Sequence, residues 1–277
     1  MTLARPPARP LWGRLLICGG LATRLLCALA LLTLTLATAC RDSVPALYPG
    51  MTSCIPKSAV LVAGLNLDAI RAAPAYPKLP PAVLALTEPL RQAQYAIFVF
   101  DGRGLLAIAR GPFRGTPAGA TLLAPNLALA GPPDLVRAAT LQHSTGTTGA
   151  PELVEPAKLA AVAKPIWIVV RGGAMLPIGG NAANLNRLLR ATTDTIIAVG
   201  LRDSVDLELT ARCITPGDGR DFEQSLRAIL TLTAAANARQ PGVAALLGAI
   251  QIRRDDRTVH VTLTARPDGL DQLLRAF

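Results

Sequence analysis

Residues 95–109 read YAIFVF, DGRG, LLAIA: two apolar runs joined by four residues that carry two glycines and two charges. Runs of this length, rich in aromatic and β-branched residues and closed by such a turn, form an antiparallel hairpin. The rest of the chain must fit around pairing of that kind. Two more hairpins are expected further on, residues 195–201 with 205–214 turned at Arg202-Asp203-Ser204, and residues 249–253 with 258–265 turned at Asp255-Asp256. Shorter apolar strands are expected at 58–65, 121–124, 127–130 and 166–170. Helical patterning falls at 67–73, 82–92, 132–141, 182–191, 221–238, 243–247 and 267–277, with Asn181 as a cap and prolines in first turns at 132–133 and 267.

The order of elements starts again midway. Val60-Leu61-Val62 answers Ile168-Val169-Val170, the turn after Phe100 answers the turn after Leu201, and Pro133-Asp134 with Leu135 answers Pro267-Asp268 with Leu270. The expected fold class is therefore α+β: two tandem modules with antiparallel sheets and packed helices, after an N-terminal signal segment. The expected boundaries are a signal peptide at 1–39, a tether at 40–56 broken by Pro45, Pro49, Gly50 and Pro56, an N-terminal module at 57–141, a linker with a short helix at 142–164 that contains QHSTGTTG, and a C-terminal module at 165–277.

The two modules differ in how their strands are coated. In the C-terminal one, Asp206, Glu208, Thr210 and Arg212 alternate with Leu207, Leu209 and Ala211, and His260, Thr262 and Thr264 alternate with Val259, Val261 and Leu263, so one sheet face is wet. The N-terminal strands are apolar on both faces. Helix 82–92 is expected to cover one of these faces; helices of the C-terminal half are expected to cover the other, the alternative being an open apolar patch.

Ahead of the folded part, residues 25–40 read LLCALALLTLTLATAC, preceded by Arg5, Arg9, Arg14 and Arg24 with no acidic residue. A basic start, an apolar run too short to span a bilayer and the small residues Ala37 and Ala39 make a secretory signal. The segment resembles a bacterial lipoprotein signal, which implies lipid on Cys40, although Leu36 stands one place earlier than the usual pattern has it. Cleavage without lipid is the alternative. An uncleaved anchor would hold Arg24 in the membrane at a cost of roughly 2.5 to 3.5 kcal/mol.

Processing leaves 24 basic and 18 acidic residues, a net charge of +6. With hydrophobic residues at 51% and charged ones at 17% the chain has the composition of a folded protein. Scattered charge and an aromatic content of 4% argue against a nucleic-acid binder, which would cluster cations beside stacking rings. Attraction to an anionic envelope surface is what such a charge supports.

Processing also leaves Cys40, Cys54 and Cys213. With Cys40 lipidated, Cys54 and Cys213 are a possible disulfide in an oxidising compartment. The alternative is a free buried Cys213, in phase with Leu207, Leu209 and Ala211. No cysteine spacing suggests a metal and no motif calls for a cofactor. Candidates for chemistry are sparse: His143 in the linker, His260 on the wet strand face with Ser204 or Ser225 as an imagined nucleophile, the Asp206 and Glu208 pair, and a glycine-rich loop at 172–181 that lacks the Lys-Ser/Thr of a P-loop. No catalytic residue is assigned.

At Phe100-Asp101-Gly102, Ala109-Arg110-Gly111-Pro112-Phe113 and residues 130–137, AGPPDLVR, the chain resembles a loose group of uncharacterised bacterial exported proteins with the same run of strands and helices. That resemblance implies the fold and no activity. The expected function is a non-catalytic envelope lipoprotein, a binding or assembly module held to a membrane through its lipid anchor, with an envelope protein as partner. An exported hydrolase is the alternative. The expected location is the periplasmic or outer face of a membrane.

Overall fold

The computed structural model describes residues 47–79, 84, 90–117, 119–177 and 183–266. The signal segment, Cys40 and the expected helices at 82–92 and 267–277 lie outside them, except for Leu84 and residues 90–92. The first described residues are already packed. Helix α1 (Pro49–Thr52) takes proline at its first position, where the missing N–H costs nothing, and buries Met51. Cys54 and Ile55 follow it into the same apolar cluster. Residues 47–55, expected as tether, are thus part of the core: the prolines break long helices but leave a single turn that seats three apolar side chains.

Strand β1 (Leu61–Asn66) leads into α2 (Leu67–Ala72), where the Asn66 side chain accepts a hydrogen bond from the Ala69 N–H. Strands β2 (Tyr95–Phe100) and β3 (Leu105–Arg110) form the expected hairpin, closed by Asp101, whose carboxylate accepts the N–H groups of Arg103 and Gly104 at 2.8 Å each. Burial acts upward on the Asp101 carboxyl, but these two bonds, with the Asp101 backbone N–H and the Arg103 charge, outweigh it and hold the group below its ordinary range. Strands β4 (Ala120–Ala124) and β5 (Leu127–Ala130) follow, then α3 (Pro133–Ser144) and α4 (Pro151–Ala163).

The second half holds β6 (Ile166–Arg171), α5 (Ala183–Arg190), β7 (Thr192–Leu201), β8 (Val205–Cys213), α6 (Pro216–Ala236), α7 (Pro241–Gly248), β9 (Gln251–Asp255) and β10 (Thr258–Ala265). Helix α6 begins five residues before the expected start. Thr215 and Asp218 form a capping box there: the Thr215 hydroxyl accepts the Asp218 N–H while the Asp218 carboxylate accepts the Thr215 N–H.

Among the described residues all ten strands belong to one antiparallel sheet, ordered β4-β5-β3-β2-β1-β6-β7-β8-β10-β9. Outward from the β1/β6 junction the first half runs β1, β2, β3, β5, β4 and the second β6, β7, β8, β10, β9, the same order twice. The expected two sheets are therefore continuous through five residue pairs, from Leu61 opposite Val170 to Leu65 opposite Ile166.

One face of this sheet is sealed over the N-terminal half and the junction. Val62, Ile97, Val99, Leu106, Ile108, Leu129, Trp167 and Val169 lie in a single cluster under residues 47–59, α3 and α4. Helix α4, expected as a minor helix in a linker, contributes Leu153, Val154, Ala157 and Ala160 to it and packs on β6, β7 and β1. QHSTGTTG is ordered, its first three residues ending α3 and the rest turning back, with the Gly149 N–H donating to the Ile55 carbonyl at 2.8 Å. On the opposite face Leu67 and Ile70 of α2 share a cluster with Leu201 and Val205. The two halves therefore interlock by a route other than the expected one: the cover on the first face comes from the chain's own N-terminal segment and α4, and on the second an N-terminal helix reaches strands of the C-terminal half. Local sequence named the faces needing cover, while the partner was set by the sheet's continuity.

Candidate binding face

Turn alignment of the two halves pairs Ile108 with Glu208, and Leu129, which faces Ile108, with Thr262, which faces Glu208. Ile108 and Leu129 are fully buried; Glu208 and Thr262 are exposed. One lateral row makes the change visible: Val62, Val169, Ile196, Thr210, His260 and Arg253 face one another strand by strand, from complete burial at Val62 and Val169 to an exposed Arg253. The face that is core in the first half is open polar surface in the second.

Two ion pairs lie on it. Glu208 meets Lys164 at 3.0 Å and Arg212 meets Asp194 at 2.9 Å. Asp206 accepts the Thr264 hydroxyl at 2.9 Å and the Ser204 hydroxyl at 3.2 Å. Thr210 Oγ1 and His260 Nδ1 are 3.2 Å apart. Asp206 and Glu208 do share a face, as their spacing requires, but each is engaged by different partners, Glu208 exposed and Asp206 half-buried. Such an arrangement presents hydrogen-bond donors and acceptors to another surface.

The imagined hydrolase pairs are not assembled. Ser225 lies on α6, which packs through Phe222 against Ala211 and Val259, the face opposite to His260. Ser204 lies beyond the Val205 and Ala265 pair, about 17 Å along β10 from His260. In the glycine-rich loop the N–H groups of Gly172, Gly173 and Ala174 donate to the carbonyls of Thr193, Leu189 and Arg171, so these three are spent within the fold, while residues 178–182 lie outside the described ones. Among the described residues no group of three metal-ligating side chains occurs, and no helix is long and apolar enough to cross a membrane.

The possible disulfide is not formed. Cys54 and Cys213 are both free, Cys54 in the cluster under α1 and Cys213 with Phe222 and Val259 under α6. Each acts as a small hydrophobe in its own cluster. Burial pushes the Cys54 thiol up to about 12 and raises that of Cys213.

One contact escaped the sequence reading. Ser53 Oγ lies 2.8 Å from His143 Nδ1, and Cys54 Sγ lies 3.6 Å from the same nitrogen. That is nucleophile-to-base distance, yet Ser53 is 3% exposed and its hydroxyl donates to the Gly50 carbonyl at 3.1 Å. The contact pins the end of α3 to α1. No sequence signal links two residues 90 positions apart in separate elements.

The fold and this face define an α+β protein built on one antiparallel sheet, with a closed and an open half. Among solved structures, crystal form III of TP0453 aligns with 82% of this chain and 98% of its own at 6% identity and a TM-score of 0.48. Crystal form I aligns with 82% of this chain and 97% of its own at 7% identity and a TM-score of 0.45. No family model and no curated protein matches the sequence.

Proposed function

We propose that the protein is a non-catalytic envelope lipoprotein, exported and held by lipid on Cys40 to the periplasmic or outer face of a membrane, where it acts as a binding or assembly module for another envelope protein. The observation that carries this reading is the open face of β7, β8 and β10. Positions that are buried and apolar in the first half, Ile108 and Leu129, have polar, exposed equivalents in Glu208 and Thr262. A chain that can build the closed version of this face and leaves the second one open has a surface suited to a polar partner. The basic, small-residue-terminated signal that ends at Cys40 supports export and anchoring.

Affinity capture of the intact lipoprotein from envelope extracts tests the reading when run beside Cys40→Ala and Glu208→Arg. The expected result is an envelope component enriched by the wild type and lost from both variants. Equal recovery by all three contradicts it.

A further inference from the structure

Arg110, at the end of β3, stacks its guanidinium on the ring of Tyr48 at 3.6 Å from the ring centre. Tyr48 is itself fixed, meeting Tyr95 edge-on with ring centres 6.0 Å apart, and the Tyr95 hydroxyl accepts the Trp167 indole N–H at 2.8 Å. Stacking uses the π faces of a guanidinium and leaves its five edge donors free. Among the described residues none of those donors meets a carboxylate or carbonyl. Arg110 opens on a cavity of about 280 Å³ whose wall, among the described residues, includes Gly50, Met51, Asn126 and Leu127 and no acidic side chain. A half-buried cation held rigid on an aromatic ring, with its fork unpaired and an amide side chain beside it, is built for a planar or tetrahedral oxyanion.

We propose that this pocket binds a phosphate group, and that the phosphate is the headgroup of an anionic phospholipid. The pocket stands on its own geometry; the choice of lipid as the source rests on the anchoring of Cys40 proposed above. Tyr48 is eight positions from Cys40, so the intervening chain keeps the pocket within about 28 Å of a lipid attached there. The mature chain's charge of +6, from 24 basic and 18 acidic residues, favours the same surface.

The test reads the rate at which phenylglyoxal modifies Arg110, followed by peptide mass spectrometry, with the exposed Arg103 as the internal control for bulk electrostatics. One arm uses the Cys40→Ser chain in solution with inorganic phosphate, so it does not depend on lipidation. The other uses the intact lipoprotein in phosphatidylcholine vesicles with and without phosphatidylglycerol. Bidentate engagement should slow Arg110 modification about tenfold in both arms while Arg103 changes little. Tyr48→Leu, which keeps the charge and removes the platform, should lose most of that protection. Protection by inorganic phosphate alone retains the phosphate pocket and overturns the lipid source. Protection in neither arm, or equal slowing of Arg103, overturns the site.

Discussion

Gly64 and Trp167 face each other directly across the β1/β6 junction, and the indole fills the space that a side chain at position 64 would need. The two halves of the sheet therefore meet through a glycine on one strand and the largest side chain available on the other. Gly64→Ala forces the ring off the position in which its N–H reaches Tyr95 and should destabilise the protein by about 1 to 3 kcal/mol. Urea unfolding measures it. The cost should shrink in a Trp167→Leu background, because the clash is removed; an additive double mutant would show that the two residues do not interact.

Thr195, on β7, is 4% exposed and its hydroxyl has no hydrogen-bond partner. An unsatisfied buried hydroxyl costs about 1 to 3 kcal/mol, and valine has nearly its shape and suits a strand. Thr195→Val should raise the thermal midpoint. A lowered midpoint would mean that the hydroxyl has a role in the native state.

Glu223 on α6 is held below the usual carboxylate range, first by its hydrogen bond from Arg227, against the upward effect of burial, and then by Arg254. A carboxyl whose folded value lies below its unfolded value of about 4.3 adds stability above that pH and loses it as the pH falls toward the folded value. Glu223→Gln should thus cost roughly 0.2 to 1 kcal/mol at pH 7. The difference should fade below pH 4 or so, as the wild-type carboxylate protonates. A gap that stays constant with pH would contradict the assigned interaction.

Residues 150–277 expressed alone keep β6 to β10 but lose β1 and residues 47–59, leaving Trp167 and Val169 without the cover they share in the full chain. The fragment should lack a cooperative urea transition and fixed near-ultraviolet dichroism. Independent, cooperative unfolding of the fragment would contradict the interlocked sheet.

The parts of this fold that were legible in the sequence are those specified locally. The β2/β3 hairpin announces itself through Asp101 and Gly102, and the wet face of β8 and β10 through strict alternation around Glu208 and His260. The β1/β6 junction was not legible, because strands that are apolar on both faces carry no mark of which neighbour they take. Residues 47–55 read as tether because Pro49 and Gly50 argue against a helix, while the burial of Met51, Cys54 and Ile55 is decided by distant strands. Helix α6 began early because Thr215 and Asp218 are a capping box, a signal present in the sequence and passed over. The open face is legible as polar surface in that alternation, whereas its equivalence to the closed face follows only from the strand order. Arg110 and Tyr48 are brought together by the fold alone, since one ends a strand and the other precedes α1.

Metabolic labelling with a fatty-acid probe tests the proposed lipid anchor on Cys40. Wild-type protein and Cys40→Ser, expressed with the complete signal segment, are compared by in-gel detection of the probe. The account predicts a labelled wild type and an unlabelled variant. Equal labelling of the two, or none in either, contradicts it.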